Sequence, residues 1–197
     1  MEAAFENCLV IGDSFVKRLY NYHRNRFERG YFWVHASPVT ACGKSGAVVS
    51  DVDMDVVDIR SGAFSVVAVA CGSNDLCHGR MPDDVADDLV NMAQFLVRFR
   101  GVERVVICQL LRRTKANRHL HITLDDFNER VCQVNEIVKA RCSGLDIIIF
   151  WKHDHRIQRN ICVDGTHLNF YGVQLFHSSL YRALWSQLKI VLRMVCG

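Results

Sequence analysis

Proline is scarce in this sequence, two in 197 residues, and no Pro-, Gly- or Ser-rich tract interrupts it. Nothing marks a linker, so a single domain over residues 1–197 is expected. An excess of charge of one sign is missing too. Lys and Arg number 24 against 21 Asp and Glu, a net +3, too balanced to single out nucleic acid or an anionic membrane as partner. No uncharged apolar run approaches the roughly 18 residues that a membrane-spanning helix needs. Met1–Val10 carries Glu2 and Glu6 and no basic residue, unlike a secretory signal. An intracellular protein, cytoplasmic or nuclear, is the expectation. The nine cysteines include no Cys-x-x-Cys pair, the spacing favoured by zinc and redox sites. Their odd number and their places in apolar stretches predict reduced, packed thiols, since disulfide frameworks belong to much shorter secreted chains.

What is present is material for a core. Half the residues are hydrophobic and 23% are charged, which excludes wholesale disorder. Short apolar runs at Cys8–Ile11, Tyr31–Val34, Val66–Ala70, Val105–Leu111 and Ile147–Trp151 alternate with amphipathic stretches. Runs rich in Val, Ile and aromatics, with few charges, read as strands buried on both faces. Helices are predicted between them. Phe15, Leu19 and Tyr22 share one face. Pro82 opens a segment with Asp83 and Asp84 in its first turn, where the helix dipole favours acid, and Val85, Leu89, Met92 and Leu96 follow at helical spacing. Thr123 with Asp126 resembles a capping box ahead of Phe127, Val131, Val134 and Val138. Leu180, Leu184, Leu188 and Leu192 form the last stripe. In residues 48–59, Asp51, Asp53, Asp55 and Asp58 interleave with Val52, Met54, Val56 and Val57. That pattern fits a short helix or an extended edge, and its acids read as a solvated face because they do not converge on one point.

Repeated strand–helix alternation predicts a three-layer α/β/α sandwich on a five-stranded parallel sheet. Right-handed crossovers favour the flavodoxin-like strand order 2-1-3-4-5. In that order the carboxyl ends of strands one and three flank the topological switch point, where open α/β sheets bind ligands. Gly12-Asp13-Ser14 follows the first of these strands and Gly72-Ser73-Asn74-Asp75 the third. Asp164-Gly165-Thr166-His167-Leu168-Asn169 follows the fifth. Each motif has a plain structural reading, Asp13 and Ser14 as helix caps and the others as turn formers. Their joint placement at one end of the sheet is what points to chemistry.

The same residues carry a family resemblance. Over nearly its whole length the chain resembles SGNH (GDSL-type) hydrolases. The resemblance implies that Ser14 is a nucleophile and that Asp164 and His167 complete a triad. It also implies that Asn74 and a glycine, with the Ser14 N–H, form an oxyanion hole. Gly43-Lys44-Ser45-Gly46-Ala47 resembles the family's Gly-x-Ser-Gly-Ala stretch, favouring Gly46 with Gly43 as the alternative. A serine hydroxyl attacks poorly until a base takes its proton, and an imidazole, titrating near 6.5, can do so at neutral pH. An aspartate three residues earlier can turn back to orient that imidazole. Asp13 is read as holding its loop. The implied activity is an esterase working through an acyl-enzyme on short-chain or acetyl esters, with no metal and no cofactor. The acyl group is read as short because no long hydrophobic lid is visible. No Gly-x-Ser-x-Gly elbow occurs, which argues against the α/β-hydrolase fold.

The other candidates are weaker. His119-x-His121 and His153-x-His155 have no neighbouring Cys or Glu to complete a metal set. Cys42, Cys71 and Cys77 flank the glycine and Asn74 loops and read as packing residues. Basic residues cluster in three places: Lys17, Arg18, Arg24, Arg26 and Arg29; Arg112, Arg113, Lys115 and Arg118; Lys152, Arg156 and Arg159. The default reading is a solvated face. The second and third clusters follow strands four and five and so share the rim of the expected site, where they would suit an acidic substrate or, less directly, nucleic acid. The stretch from Trp151-Lys152-His153 to Gly172 is similar to SGNH domains in proteins encoded by animal retrotransposons. That likeness implies an alternative, a low-activity binding module beside a nucleic-acid-handling partner.

Overall fold

The computed structural model describes residues 7–24, 31–34, 37–52, 59–116, 119–161 and 164–196. The elements in chain order are β1 (Cys8–Gly12), α1 (Ser14–Arg24), β2 (Tyr31–Val34), β3 (Ser37–Gly43), β4 (Val66–Ala70), α2 (Ser73–Cys77), α3 (Pro82–Arg100), β5 (Arg104–Cys108), α4 (Leu124–Cys142), β6 (Ile148–Trp151), α5 (His155–Gln158) and α6 (Phe170–Cys196). Residues 49–52 are helical as well. Of the residues singled out in the sequence, Arg26, Arg29, Asp53, Met54, Asp55, Val56, Val57, Asp58, Arg118 and Cys162 lie outside the described residues, as do the side chains of Tyr22, Arg24 and Cys196.

The sheet order is β2-β3-β1-β4-β5-β6. From β3 to β6 all neighbours are parallel, so the five parallel strands, numbered along the chain, run 2-1-3-4-5 as expected. The second of them differs from its sequence assignment. Tyr31–Val34 is an added edge strand, antiparallel to β3, and the strand beside β1 is Ser37–Gly43. Proline and glycine both weaken a strand reading, and Pro38 and Gly43 leave too short an apolar run between them to show.

Each central strand buries both faces. Leu9 and Ile11 of β1, with Val67, Val69, Val105 and Ile107, pack under α3 and α4 against Leu89, Leu96, Phe127 and Val131. Cys8 and Val10, alternating with them, join Val66, Ala68 and Val106 under α1 and α6 against Val16, Leu19, Leu180 and Leu184. That is the period-two pattern of a strand covered on both sides. Pro82 occupies the first turn of α3, and Gly101, in the left-handed region, ends the helix. The Thr123 hydroxyl caps α4 by accepting the Asp126 N–H at 3.1 Å. Among the described residues Cys8, Cys71, Cys77, Cys108 and Cys142 are buried, whereas Cys42 is exposed. Burial pushes the Cys8 and Cys108 thiols up to about 12, which leaves them unreactive. Among the described residues no helix is long and apolar enough to cross a membrane.

The carboxyl ends of the three adjacent strands line up small residues, Gly12 opposite both Gly43 and Ala70. A Cβ on Gly12 would lie 2.1 Å from the Ala70 carbonyl oxygen, and one on Gly43 would lie 2.3 Å from the Lys17 nitrogen. Neither position has room for a side chain, and α1 therefore starts close against the sheet.

Candidate active site

Asp13 ties the first loop together. Its Oδ1 accepts the Phe15 N–H at 3.0 Å and its Oδ2 accepts the Ser73 hydroxyl at 3.3 Å. Its own N–H donates to the Ala70 carbonyl at 3.2 Å, which joins the turn after β1 to the end of β4. The carboxyl is buried, and burial pushes it up to about 6 despite the Phe15 N–H, the Ser73 hydroxyl and the Arg113 charge. A carboxyl raised in the folded state contributes stability in full below its unfolded value, near 3.9, and loses it as pH rises through about 6. Asp13→Asn keeps both hydrogen bonds, with Nδ2 donating to the Ser73 oxygen, and removes the buried charge. It is expected to be more stable relative to the native chain at pH 8 than at pH 4, by on the order of 2 kcal/mol. Urea unfolding at the two pH values checks this; an equal effect at both would mean that the loop holds the carboxylate as an anion without penalty.

Between β4 and α2 the chain turns at Gly72, whose φ of 116° lies in the left-handed region and favours glycine. Asp75, fully buried, accepts the Val49 N–H at 3.0 Å and the Arg80 guanidinium at 3.2 Å. The side-chain amide of Asn74 donates to the Ala47 carbonyl at 2.9 Å. Two side chains of α2 thus hold the chain around Gly46 against the switch point. Gly46 itself has φ 74°, and a Cβ there would meet nothing within 4 Å. Its backbone conformation, not crowding, calls for glycine.

The third segment is fixed by its own backbone. The Thr114 N–H donates to the Gly165 carbonyl at 2.8 Å, and a Cβ on Gly165 would lie 2.6 Å from the Lys115 nitrogen. Asn169 accepts the Gly172 N–H at 2.8 Å and starts α6. Just before Gly165, Asp164 Oδ1 accepts the Thr166 and His167 N–H groups, both at 2.9 Å. Its Oδ2 lies 2.9 Å from His167 Nδ1, and His167 Nε2 lies 3.2 Å from Ser14 Oγ. Burial raises the Asp164 carboxyl, but the two backbone N–H groups and the imidazole outweigh it and bring it down to about 2. An ionised carboxylate only accepts, so it selects the Nδ1–H tautomer and leaves Nε2 to accept the serine proton.

Ser14, Gly46, Asn74, Arg113, Thr166 and His167 line one cavity of about 410 Å³. Gly43, the alternative glycine, does not line it and instead packs on the start of α1. The basic clusters divide. Arg18 and Arg113 line the Ser14 cavity, Arg112, Lys152 and Arg159 line a separate cavity of about 460 Å³, and Arg156 pairs with Asp154 at 2.7 Å. Of the two readings of its cluster, a solvated face and a rim of the site, the first does not hold for Arg113, which is 7% exposed. His119 also reaches the Ser14 cavity. The ring of His121 faces His78 at 6.2 Å, and buried His153 bonds through Nδ1 to the Ser179 hydroxyl at 2.9 Å. Among the described residues no three His, Cys, Asp or Glu side chains gather as a metal set.

No family model matches this sequence, and no curated protein does either. Solved structures do. A GDSL-like lipase from Bacteroides thetaiotaomicron aligns over 94% of this chain and 90% of its own, with TM-score 0.76 and 13% identity. A carbohydrate acetylesterase family member from Sinorhizobium meliloti aligns over 93% and 99%, with TM-score 0.66 and 13% identity. A catalytic mutant of an acetylxylan esterase from Geobacillus stearothermophilus aligns over 91% and 94%, with TM-score 0.62 and 14% identity. These likenesses establish the fold.

Proposed function

We propose that this protein is a serine hydrolase of the SGNH type that cleaves short-chain or acetyl esters through an acyl-enzyme on Ser14. The observation that carries the reading is the hydrogen-bond chain from Asp164 through His167 to Ser14, at 2.9 and 3.2 Å, beside a cavity large enough for a small ester. That several proteins of this fold are described as lipases or acetylesterases favours acyl-ester chemistry over other uses.

In the proposed reaction His167 Nε2 takes the Ser14 proton as Oγ bonds to the ester carbonyl carbon. The oxyanion is held by the N–H groups of Ser14 and Gly46 and by the Asn74 amide, whose second hydrogen is not used on Ala47. Collapse breaks the bond to the alcohol oxygen, which receives the proton from His167. A water then attacks the acyl-enzyme with His167 again as base, and the acid leaves as Ser14 regains its proton.

A fluorophosphonate probe tests this. The expected result is one adduct, on the peptide holding Ser14, and none in a Ser14→Ala control. Folded protein that stays unlabelled would favour the binding-module alternative. Asn74→Ala is expected to slow p-nitrophenyl acetate turnover by at least about tenfold, and by up to about 1,000-fold if it supplies a full oxyanion donor. Labelling should persist at a lower rate, and unchanged turnover would remove Asn74 from the site.

A further inference from the structure

Arg113 is a buried charged residue that the proposed triad does not use. It lines the same cavity as Ser14 and His167, and its Nη1 is buried with no hydrogen-bond partner. Buried guanidinium nitrogens are nearly always paired, because stripping a charged donor of water without replacement is costly. Two neighbours of the guanidinium offer little in exchange: the Cys77 thiol, a weak hydrogen-bond partner whose pKa burial raises, and an aromatic ring. The guanidinium lies 4.6 Å from the centre of the Phe127 ring, whose face attracts the charge but accepts no ordinary hydrogen bond. The nearby buried carboxyls are committed elsewhere, Asp13 to Phe15 and Ser73, and Asp75 to Val49 and Arg80.

The segment that carries Arg113 is clamped in advance. Asn135 grips the N–H and carbonyl of Leu110, at 2.8 and 3.0 Å, and Gln158 grips those of Arg112, at 2.9 and 2.9 Å. Asn128 does the same for Arg113, at 2.8 and 3.0 Å. Three side-chain amides therefore hold the backbone of this stretch, which has no strand partner among the described residues, and fix the segment from which the guanidinium projects before any ligand arrives. Among the described residues no Asp or Glu lines the cavity, whereas Arg18 joins Arg113 there.

We infer that Arg113 is a specificity-determining residue, and that the ester carries on its acyl or alcohol part an anionic oxygen group, a carboxylate or a phosphate, which the Arg113 guanidinium binds within the cavity. A planar fork of donors suits either oxyacid. The inference rests on the esterase reading above and adds the charge of the substrate.

Matched ester pairs test it. p-Nitrophenyl hemisuccinate against p-nitrophenyl butyrate places the charge on the acyl side. p-Acetoxybenzoate against its methyl ester, and p-acetoxyphenyl phosphate against p-acetoxyanisole, place a carboxylate or a phosphate on the alcohol side. At least one anionic ester is expected to exceed its neutral match in kcat/KM by about tenfold or more. That ratio should fall to near one in Arg113→Gln and recover in part in Arg113→Lys. Ratios within about threefold of one in the native chain, or a preference that survives in Arg113→Gln, would overturn the inference. Should Arg113→Gln fail to fold, inhibition of the native chain decides. Succinate or inorganic phosphate should inhibit where neutral succinamide does not, and equal inhibition counts against an anion site. Fluorophosphonate is uncharged, so labelling of Ser14 with no anionic preference defeats this inference alone, whereas absent labelling defeats the esterase reading along with it.

Discussion

Ser14→Ala is expected to lower p-nitrophenyl acetate turnover by at least about 10,000-fold while leaving the fold in place. The two halves of that expectation have separate causes. The hydroxyl is the only atom removed, and its hydrogen bond is to His167 Nε2, so the loss falls on the bond-forming step. The local fold does not lean on it. Asp13, not Ser14, satisfies the Phe15 N–H at the start of α1, and alanine is a better helix former than serine. Thermal melting should therefore shift by no more than about 1 kcal/mol equivalent. A variant retaining more than about a hundredth of native turnover would mean that ester cleavage occurs elsewhere, with the basic cavity beyond β5 the first place to look.

The parallel sheet is legible in the sequence because four of its five strands are unbroken runs of residues that suit burial on both faces. The remaining one, β3, is not, because a strand beside the sheet's edge tolerates Pro38 and is capped by Gly43. Tyr31–Val34 misleads for the complementary reason. An apolar run looks the same whether its partner is parallel or antiparallel, and direction is decided by the short link to β3. Within the site, topology alone places Ser14 and Asn74 at the switch point. The spacing of Asp164 and His167 is readable, but the two backbone N–H groups that hold Asp164 in position are not. Arg113 sits among basic residues in a loop, and composition points them all to water. In extended chain, though, neighbours face opposite ways. Leu111 and Arg113 are buried while Arg112 is exposed. Alternation through Leu111, Arg112 and Arg113 was the available signal, and it gains meaning only once Asn128 and Gln158 are seen to grip the two arginines from opposite sides.

Asp164→Asn carries the other large expected effect, a fall in turnover of about 10,000-fold with little change in KM, by analogy with the same change in a serine-protease triad. The hydrogen bonds dictate how the asparagine sits. Oδ1 of the native residue accepts two backbone N–H groups, so the amide oxygen takes that place and the NH2 takes the place of Oδ2. A donor then faces His167 Nδ1. The imidazole is driven to the opposite tautomer, with its proton on Nε2, and a nitrogen that should accept the Ser14 proton now points a hydrogen at it. The geometry survives and the chemistry does not. The native carboxylate is held down to about 2, so its support is present above the usual aspartate range and is lost only as pH falls through about 2. Asp164 therefore stays ionised over the working pH range, and the defect of the asparagine variant should persist across it. Fluorophosphonate labelling should slow in proportion to turnover, since both need the same proton removed. The double variant with Ser14→Ala should be no less active than Ser14→Ala alone, because residues acting as one unit do not add. If Asp164→Asn stays within about tenfold of the native chain, or if the two losses multiply, Asp164 is not the orienting member of a triad.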